Sequence, residues 1–169
     1  YNMIDGLDGL AGSLTMVALV SVAAVTGIHK QVGAVALVIA ASAFGFLMFN
    51  LPFTWYRPVR SFMGDAGSTL LGFAVVWVTL GIAQGEARLI SPVHALWFAA
   101  VPIFDCLSCF VWRSLQGKSP FTPGRDHFHH ILLKGGYGVR SVLSIITFVQ
   151  VIYAIIGLWG FHAGVPDYI

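Results

Sequence analysis

Seven consecutive residues, GRDHFHH at positions 124 to 130, set three imidazoles, a guanidinium and a carboxylate side by side in a chain of 169 residues of which only 9% are charged. Neutral imidazole is a common transition-metal ligand, and His127 and His130 can share one helix face, so zinc is one chemistry such a cluster supports. An anionic substrate is another. It accounts for Arg125 too, because guanidinium offers a fork of donors matched to phosphate oxygens, whereas beside a cation it is an electrostatic cost. A purely structural role is the third alternative for these residues.

Two more polar islands carry carboxylates. In NMIDGLDGLAG, residues 2 to 12, Asn2, Asp5 and Asp8 are spaced three apart, so a single helical turn brings them to one side. Gly6, Gly9 and Gly12 allow close backbone approach there. The plainer reading is that Asp8 caps the helix that follows. In FMGDAGS, residues 62 to 68, Asp65 is flanked by Gly64, Ala66 and Gly67, which leaves its carboxylate uncrowded at a helix N-terminus. That suits Mg²⁺, which takes one or two carboxylates plus substrate phosphates and water; a helix cap is again the alternative. A helix N-terminus also favours a nearby phosphate.

The elements that must position these islands are membrane helices. Hydrophobic residues make up 57% of the chain and the mean hydropathy is +0.84. Apolar runs at about 10–28, 32–50, 67–84, 92–114 and 141–162 each approach the ~20 residues needed to cross a bilayer, and they are apolar all round, unlike barrel strands. The expected fold is therefore all-α: a polytopic membrane helix bundle of about five spans. Its long loops, including 115–140 with its glycines and prolines, should carry the site.

Charge sets the orientation. Arg57, Arg60, Arg113, Lys118, Arg125, Lys134 and Arg140 fall on one side with Asp5, Asp8, Asp65 and Asp126, while the other side has Lys30 and Arg88. The positive-inside rule makes the first side cytoplasmic. Asp105 lies within the fourth run, where a carboxylate costs roughly 3 kcal/mol and needs a cavity, a partner or the bundle interior. Cys106 and Cys109 read as small packing residues, and Ala41 to Gly45 as a weak helix-packing signal.

Taken in order and on one membrane face, NMIDGLDGLAG, FMGDAGS and GKSPFTPGRDHFHH resemble the polyprenyl-phosphate N-acetylhexosamine-1-phosphate transferase superfamily, glycosyltransferase family 4. The form of the last island, with Arg125, His127, His129 and His130, is similar to the bacterial undecaprenyl-phosphate N-acetylglucosamine-1-phosphate transferase branch. The resemblance implies a Mg²⁺-dependent phosphotransferase, with Mn²⁺ as a substitute. Its lipid phosphate attacks the β-phosphorus of a UDP-N-acetylhexosamine, most simply UDP-GlcNAc, and releases UMP. The product would initiate an O-antigen, common-antigen or teichoic-acid type polysaccharide.

By the same resemblance, Asp5 and Asp8 are catalytic and Asp65 is the metal ligand. Asn2, Gly6, Leu7 and Phe62 would meet the nucleotide, and Arg125, His127, His129 and His130 the diphosphate. Partners would be the UDP-sugar, undecaprenyl phosphate, the lipid bilayer and, in some members, a second copy of the chain; no nucleic acid is expected. The location would be the bacterial inner membrane, multi-pass, with the site facing the cytoplasm. The family also carries an adjacent aspartate pair that this chain lacks, and more helices than these five. Residues 1–169 are therefore expected to be the carboxy-terminal part of a single integral-membrane transferase domain, inactive alone. The rivals are the lipid I-forming phospho-MurNAc-pentapeptide transferase branch, a transporter fragment, whose polar residues should run through the bilayer, and a membrane zinc hydrolase.

Overall fold

A computed structural model describes residues 4–52, 61–85, 88–119, 124 and 126–166. Each expected apolar run is helical. α1 spans Leu10–Thr26, α2 Gln31–Asn50 and α3 Gly64–Ala83. α4, Pro92–Leu96, continues through a 3₁₀ turn at Trp97–Ala99 into α5, Ala100–Leu115; the short α6, Phe128–Lys134, and the long α7, Val139–His162, complete the chain. The α2, α3, Pro92–Leu115 and α7 segments are long and apolar enough to cross a membrane. The 17 residues of α1 reach about 26 Å at 1.5 Å per residue, slightly short of the hydrocarbon core. The protein is a helical membrane bundle, and no strand occurs among the described residues.

α1 is the most enclosed helix. Leu10, Ala11, Leu14, Thr15, Ala18, Leu19 and Val22 are all buried, and α2, α3 and α7 pack around it. Close approach of α2 depends on one face of small residues, Gly33, Ala36, Ala40 and Ala43. A Cβ on Gly33 would run into the Gly27 carbonyl and the Thr26 hydroxyl. Small residues admit this backbone proximity where larger ones would hold helices apart. The expected Ala41 to Gly45 signal is wrong by register, because both residues are exposed on the opposite face.

The fourth span is interrupted for a covalent reason. Pro102 has no N–H, so the Phe98 carbonyl one turn earlier loses its helical donor. Gln150 of α7, fully buried, replaces it: its Nε2 donates to the Phe98 and Trp97 carbonyls at 3.0 and 3.1 Å, and its Oε1 accepts the Val101 N–H at 2.9 Å. One amide thus satisfies three main-chain groups at membrane depth and fixes where α5 begins.

The start of α1, the end of α2, the start of α3, the end of α5 and the start of α7 all lie at one end of the bundle. A second apolar cluster seals that end, with Ile4, Leu7, Leu10 and Leu14 against Val101, Val142, Leu143 and Ile146. All three polar islands are attached to it.

Candidate functional site

The first two islands are tied by Asn50, the last residue of α2. Its Oδ1 accepts the Gly9 N–H at 2.6 Å and its Nδ2 donates to the Ser61 carbonyl at 2.6 Å. Gly9 takes a left-handed φ of 82° as the residue before α1, a conformation that favours glycine. No side chain caps α1, so Asp8 is not its N-cap, and the alternative reading of that residue is corrected. Asp8 is exposed beside Asp5, Gly6 and Leu7, and these four share a cleft of about 170 Å³ with Phe62 and Met63. Phe62 is 80% exposed, so one of its faces is available for stacking.

Asp65 stands in the first turn of α3, which begins at Gly64, three residues earlier than the apolar run implied. It is exposed and makes no capping hydrogen bond, so the helix-cap alternative fails here as well. The Asp5 carboxyl is pushed above its ordinary range by burial first, and then by the negative charges of Asp8 and Asp65. Asp8 and Asp65 add negative charge beside Asp5 at the open cleft, surroundings that attract a hard cation, although the three carboxylates are not gathered within reach of a single ion.

The third island reaches the first through a single contact. His129 is 1% exposed, and its ring edge lies against Gly6 so closely that a Cβ there would collide with Nε2. Neither ring nitrogen of His129 has a hydrogen-bond partner among the described residues. Burial, then His130, lowers its pKa to about 4, so the ring is neutral at pH 7 and offers hydrogen bonding rather than charge. His130 packs beside it with ring centroids 4.1 Å apart, and His127 stacks 6.0 Å away.

His127 is held from behind. It precedes α6, and its Nδ1 is 2.8 Å from Asp105 Oδ2 and 3.4 Å from Cys109 Sγ; the next residue, Phe128, donates its N–H to Asp105 Oδ1 at 2.7 Å. Cys109 Sγ also donates to the Asp126 carbonyl at 3.4 Å, and buried Arg113 donates Nε to Asp126 Oδ2 at 3.3 Å. Asp105, Cys109 and His127 offer one oxygen, one sulfur and one nitrogen within 4.8 Å of one another. Zinc accepts such donors, but ligands at about 2.0 Å on a tetrahedron stand roughly 3.3 Å apart. The 2.8 Å Asp105–His127 separation is that of a hydrogen bond.

The model of glycosyl transferase family 4 matches residues 1–83. Over 172 aligned positions the chain is 36% identical to the undecaprenyl-phosphate alpha-N-acetylglucosaminyl 1-phosphate transferase of Escherichia coli (strain K12), covering 100% of this chain and 47% of that protein. The similarly named protein of Yersinia pestis is 38% identical over 165 positions, covering 95% and 44%. That of Haemophilus influenzae is 42% identical over 115, covering 68% and 32%. The chain belongs to glycosyl transferase family 4. It spans about half the length of the curated relatives it matches.

Within this family member, the residues expected at the site divide into groups. Asp5, Gly6, Leu7, Asp8 and Phe62 line one cleft, and Asp65 is near enough to act electrostatically on Asp5. His129 touches the cleft from the other side of Gly6, with His130 at its flank. His127 is 5% exposed and turned to Asp105. Asn2 and Arg125, like Arg57 and Arg60, lie outside the described residues.

Sequence reasoning missed Asn50, whose only signal is an amide closing an apolar run. It also missed the partners of two residues of α5. Cys109 is not merely packing: it is buried in the polar cluster while Cys106 is exposed, so the CxxC does not act as a pair. Arg113, read only as a charge on the cytoplasmic side, is also the buried partner of Asp126.

Proposed function

We propose that this chain supplies the nucleotide- and metal-facing part of a transferase that moves N-acetylglucosamine-1-phosphate from its UDP ester to undecaprenyl phosphate, releasing UMP. The observation that carries this reading is the convergence of the three islands: His129 lies against Gly6, and Gly6 lines the cleft of Asp5, Asp8 and Phe62. Phosphoryl transfer asks for little covalent chemistry from a protein and mainly for in-line placement and charge neutralisation.

In this reading the exposed Phe62 ring stacks on uracil, and the backbone at Gly6 and Leu7 borders the base. Asp65 holds Mg²⁺, or Mn²⁺ in its place, with Asp5 and Asp8 orienting the metal and nucleotide, since carboxylates do not bind phosphate directly. When bound, the cation supplies the positive charge that the diphosphate needs as its bond to UMP weakens. The charge of Arg125, with His130, would help neutralise the diphosphate, and neutral His129 would offer a hydrogen bond without adding charge.

The site end faces the bacterial cytoplasm: Arg113, Lys118, Lys134 and Arg140 gather there, against Lys30 and Arg88 at the other end. A soluble nucleotide sugar and a lipid phosphate at headgroup level meet at that face. The test uses the full-length protein in detergent or nanodiscs with undecaprenyl phosphate, Mg²⁺ and a panel of UDP-GlcNAc, UDP-GalNAc and UDP-MurNAc-pentapeptide, following UMP release. Turnover with UDP-GlcNAc is expected; no UMP from any donor would refute the reading, and turnover with the pentapeptide donor alone would move it to the lipid I branch.

A further inference from the structure

We propose that Asp105, a carboxylate inside the fourth membrane span, is the positioning residue of the histidine loop, setting the tautomer of His127 and the seat of His129 on Gly6. The proposal rests on the functional reading above, and adds a residue to which that reading gives no role.

Both oxygens of the buried Asp105 are engaged, and both by the same short stretch of chain. Oδ1 receives the Phe128 N–H at 2.7 Å and Oδ2 faces His127 Nδ1 at 2.8 Å. Two successive residues gripping one carboxylate fix the rotation of the chain as well as its position. No side chain of the preceding residue caps α6, and the amide that would otherwise be orphaned at its start is satisfied from a different helix. His129 is the next residue on, 1% exposed, with no side-chain hydrogen bond among the described residues. What sets its place against Gly6 is therefore the packing around it and the anchor one and two residues before it.

The carboxylate also decides a proton. A carboxylate oxygen only accepts, so the hydrogen between Asp105 and His127 sits on Nδ1. An asparagine of the same shape can still accept the Phe128 N–H through its oxygen. Its NH₂ would then face Nδ1 and donate, forcing the opposite tautomer. Asp105→Asn therefore changes the chemistry of His127 while leaving the anchor of α6 in place.

The experiment uses the full-length protein in nanodiscs. Asp105→Asn is expected to lower kcat roughly 10- to 100-fold, as loss of an orienting partner commonly does, with the KM for the nucleotide sugar moving less than about threefold. Because Asp105 acts through His127, Asp105→Asn combined with His127→Ala should lose no more than about threefold beyond the worse single variant. Multiplying losses, or a fully active Asp105→Asn, would overturn the proposal. If Asp105→Asn fails to fold, Phe128→Pro replaces it. Proline is tolerated at the first helical position and deletes the amide together with the ring, whose loss alone Phe128→Ala reports, and His127, at φ −70° and ψ 152°, already has the conformation proline requires before it. It should lower kcat by a similar factor, and unchanged kcat would count against the anchor.

Hydrogen exchange gives a readout independent of turnover. Asp105→Ala should speed exchange across residues 127–134 while α1 and α7 stay protected; unchanged exchange overturns the proposal. Lost protection in a protein whose wild type releases no UMP would sink the transferase reading and leave the positioning role standing. One equivalent of zinc retained by the wild type and lost in Cys109→Ser would instead make Asp105, Cys109 and His127 a metal site, and the proposal would be wrong.

Discussion

The imidazole of His129 lies directly on Gly6, residues 123 positions apart in the sequence, in a contact that leaves no room for a methyl group. One side of this contact is the carboxylate cleft and the other is the histidine loop. The two carry opposite kinds of group toward one ligand, and the missing side chain at position 6 sets the distance between them.

Gly6→Ala should therefore push the loop outward without unfolding the bundle, because the apolar cluster of Leu7, Leu10 and Leu14 beneath it is untouched. A loss of about 10- to 100-fold in kcat/KM is expected, on the order of 1.4 to 2.8 kcal/mol of transition-state stabilisation. The double variant Gly6→Ala, His129→Ala should be no worse than His129→Ala alone, since the collision is then gone. Steady-state UMP release from the full-length protein measures both, and an unaffected Gly6→Ala would show that the contact does not set the geometry.

Asp5→Asn should stabilise the protein and inactivate it. The folded state raises the Asp5 pKa above the ordinary carboxylate value, so ionisation costs stability at neutral pH, and that cost disappears as pH falls through the raised value. Removing the charge removes the repulsion from Asp8 and Asp65. Without divalent cations the unfolding midpoint should rise by about 2 °C, while turnover falls more than about 100-fold. Mg²⁺ should raise the wild-type midpoint more than the variant's, because a ligand that binds only the folded state stabilises it by mass action. Asp65→Asn should lose the Mg²⁺ response altogether; an equal response in all three proteins would remove these residues from the metal site.

The spans were readable because an apolar run of membrane length has few alternatives, and the islands because polar residues beside it are costly unless used. What could not be read were partners without a local pattern. Asp105 announced that it needed a partner, but the partner is 22 residues away in a loop with no periodicity. Gln150 is explained only by Pro102, on another helix, and the small face of α2 was assigned to Ala41 and Gly45 rather than Gly33, Ala36 and Ala40 because an apolar helix has no polar side to fix its rotation. Cys109 looked inert for the same reason.

Acid should loosen the histidine loop. Folding holds the His129 pKa near 4, against 6.5 for the free side chain. Between those values the unfolded chain binds more protons than the folded one, so the contribution of His129 to stability is complete above about pH 6.5 and declines as pH falls toward 4. Asp5 works in the opposite direction, so the informative quantity is the difference between wild type and His129→Gln. The wild type should lose more stability than the variant from pH 7 to pH 4.5 in thermal melts. Parallel pH profiles would mean that the ring is already charged in the folded protein.

Asn50 makes the sharpest stability prediction, because its two hydrogen bonds connect the chain just before α1 to the chain just before α3. Asn50→Leu keeps approximate volume but strands the Gly9 N–H and the Ser61 carbonyl, each costing about 1 kcal/mol or more when buried. A drop of about 4 to 8 °C in the unfolding midpoint follows for a total near 2 kcal/mol. Asn50→Asp separates stability from function. Its oxygen still accepts from Gly9, so the loss of stability should be smaller, but it places a further carboxylate in the cleft with Asp5 and Asp8. Activity should then demand a higher Mg²⁺ concentration. If Asn50→Asp and Asn50→Leu melt alike and show the same Mg²⁺ requirement, the amide is not what joins the first two islands.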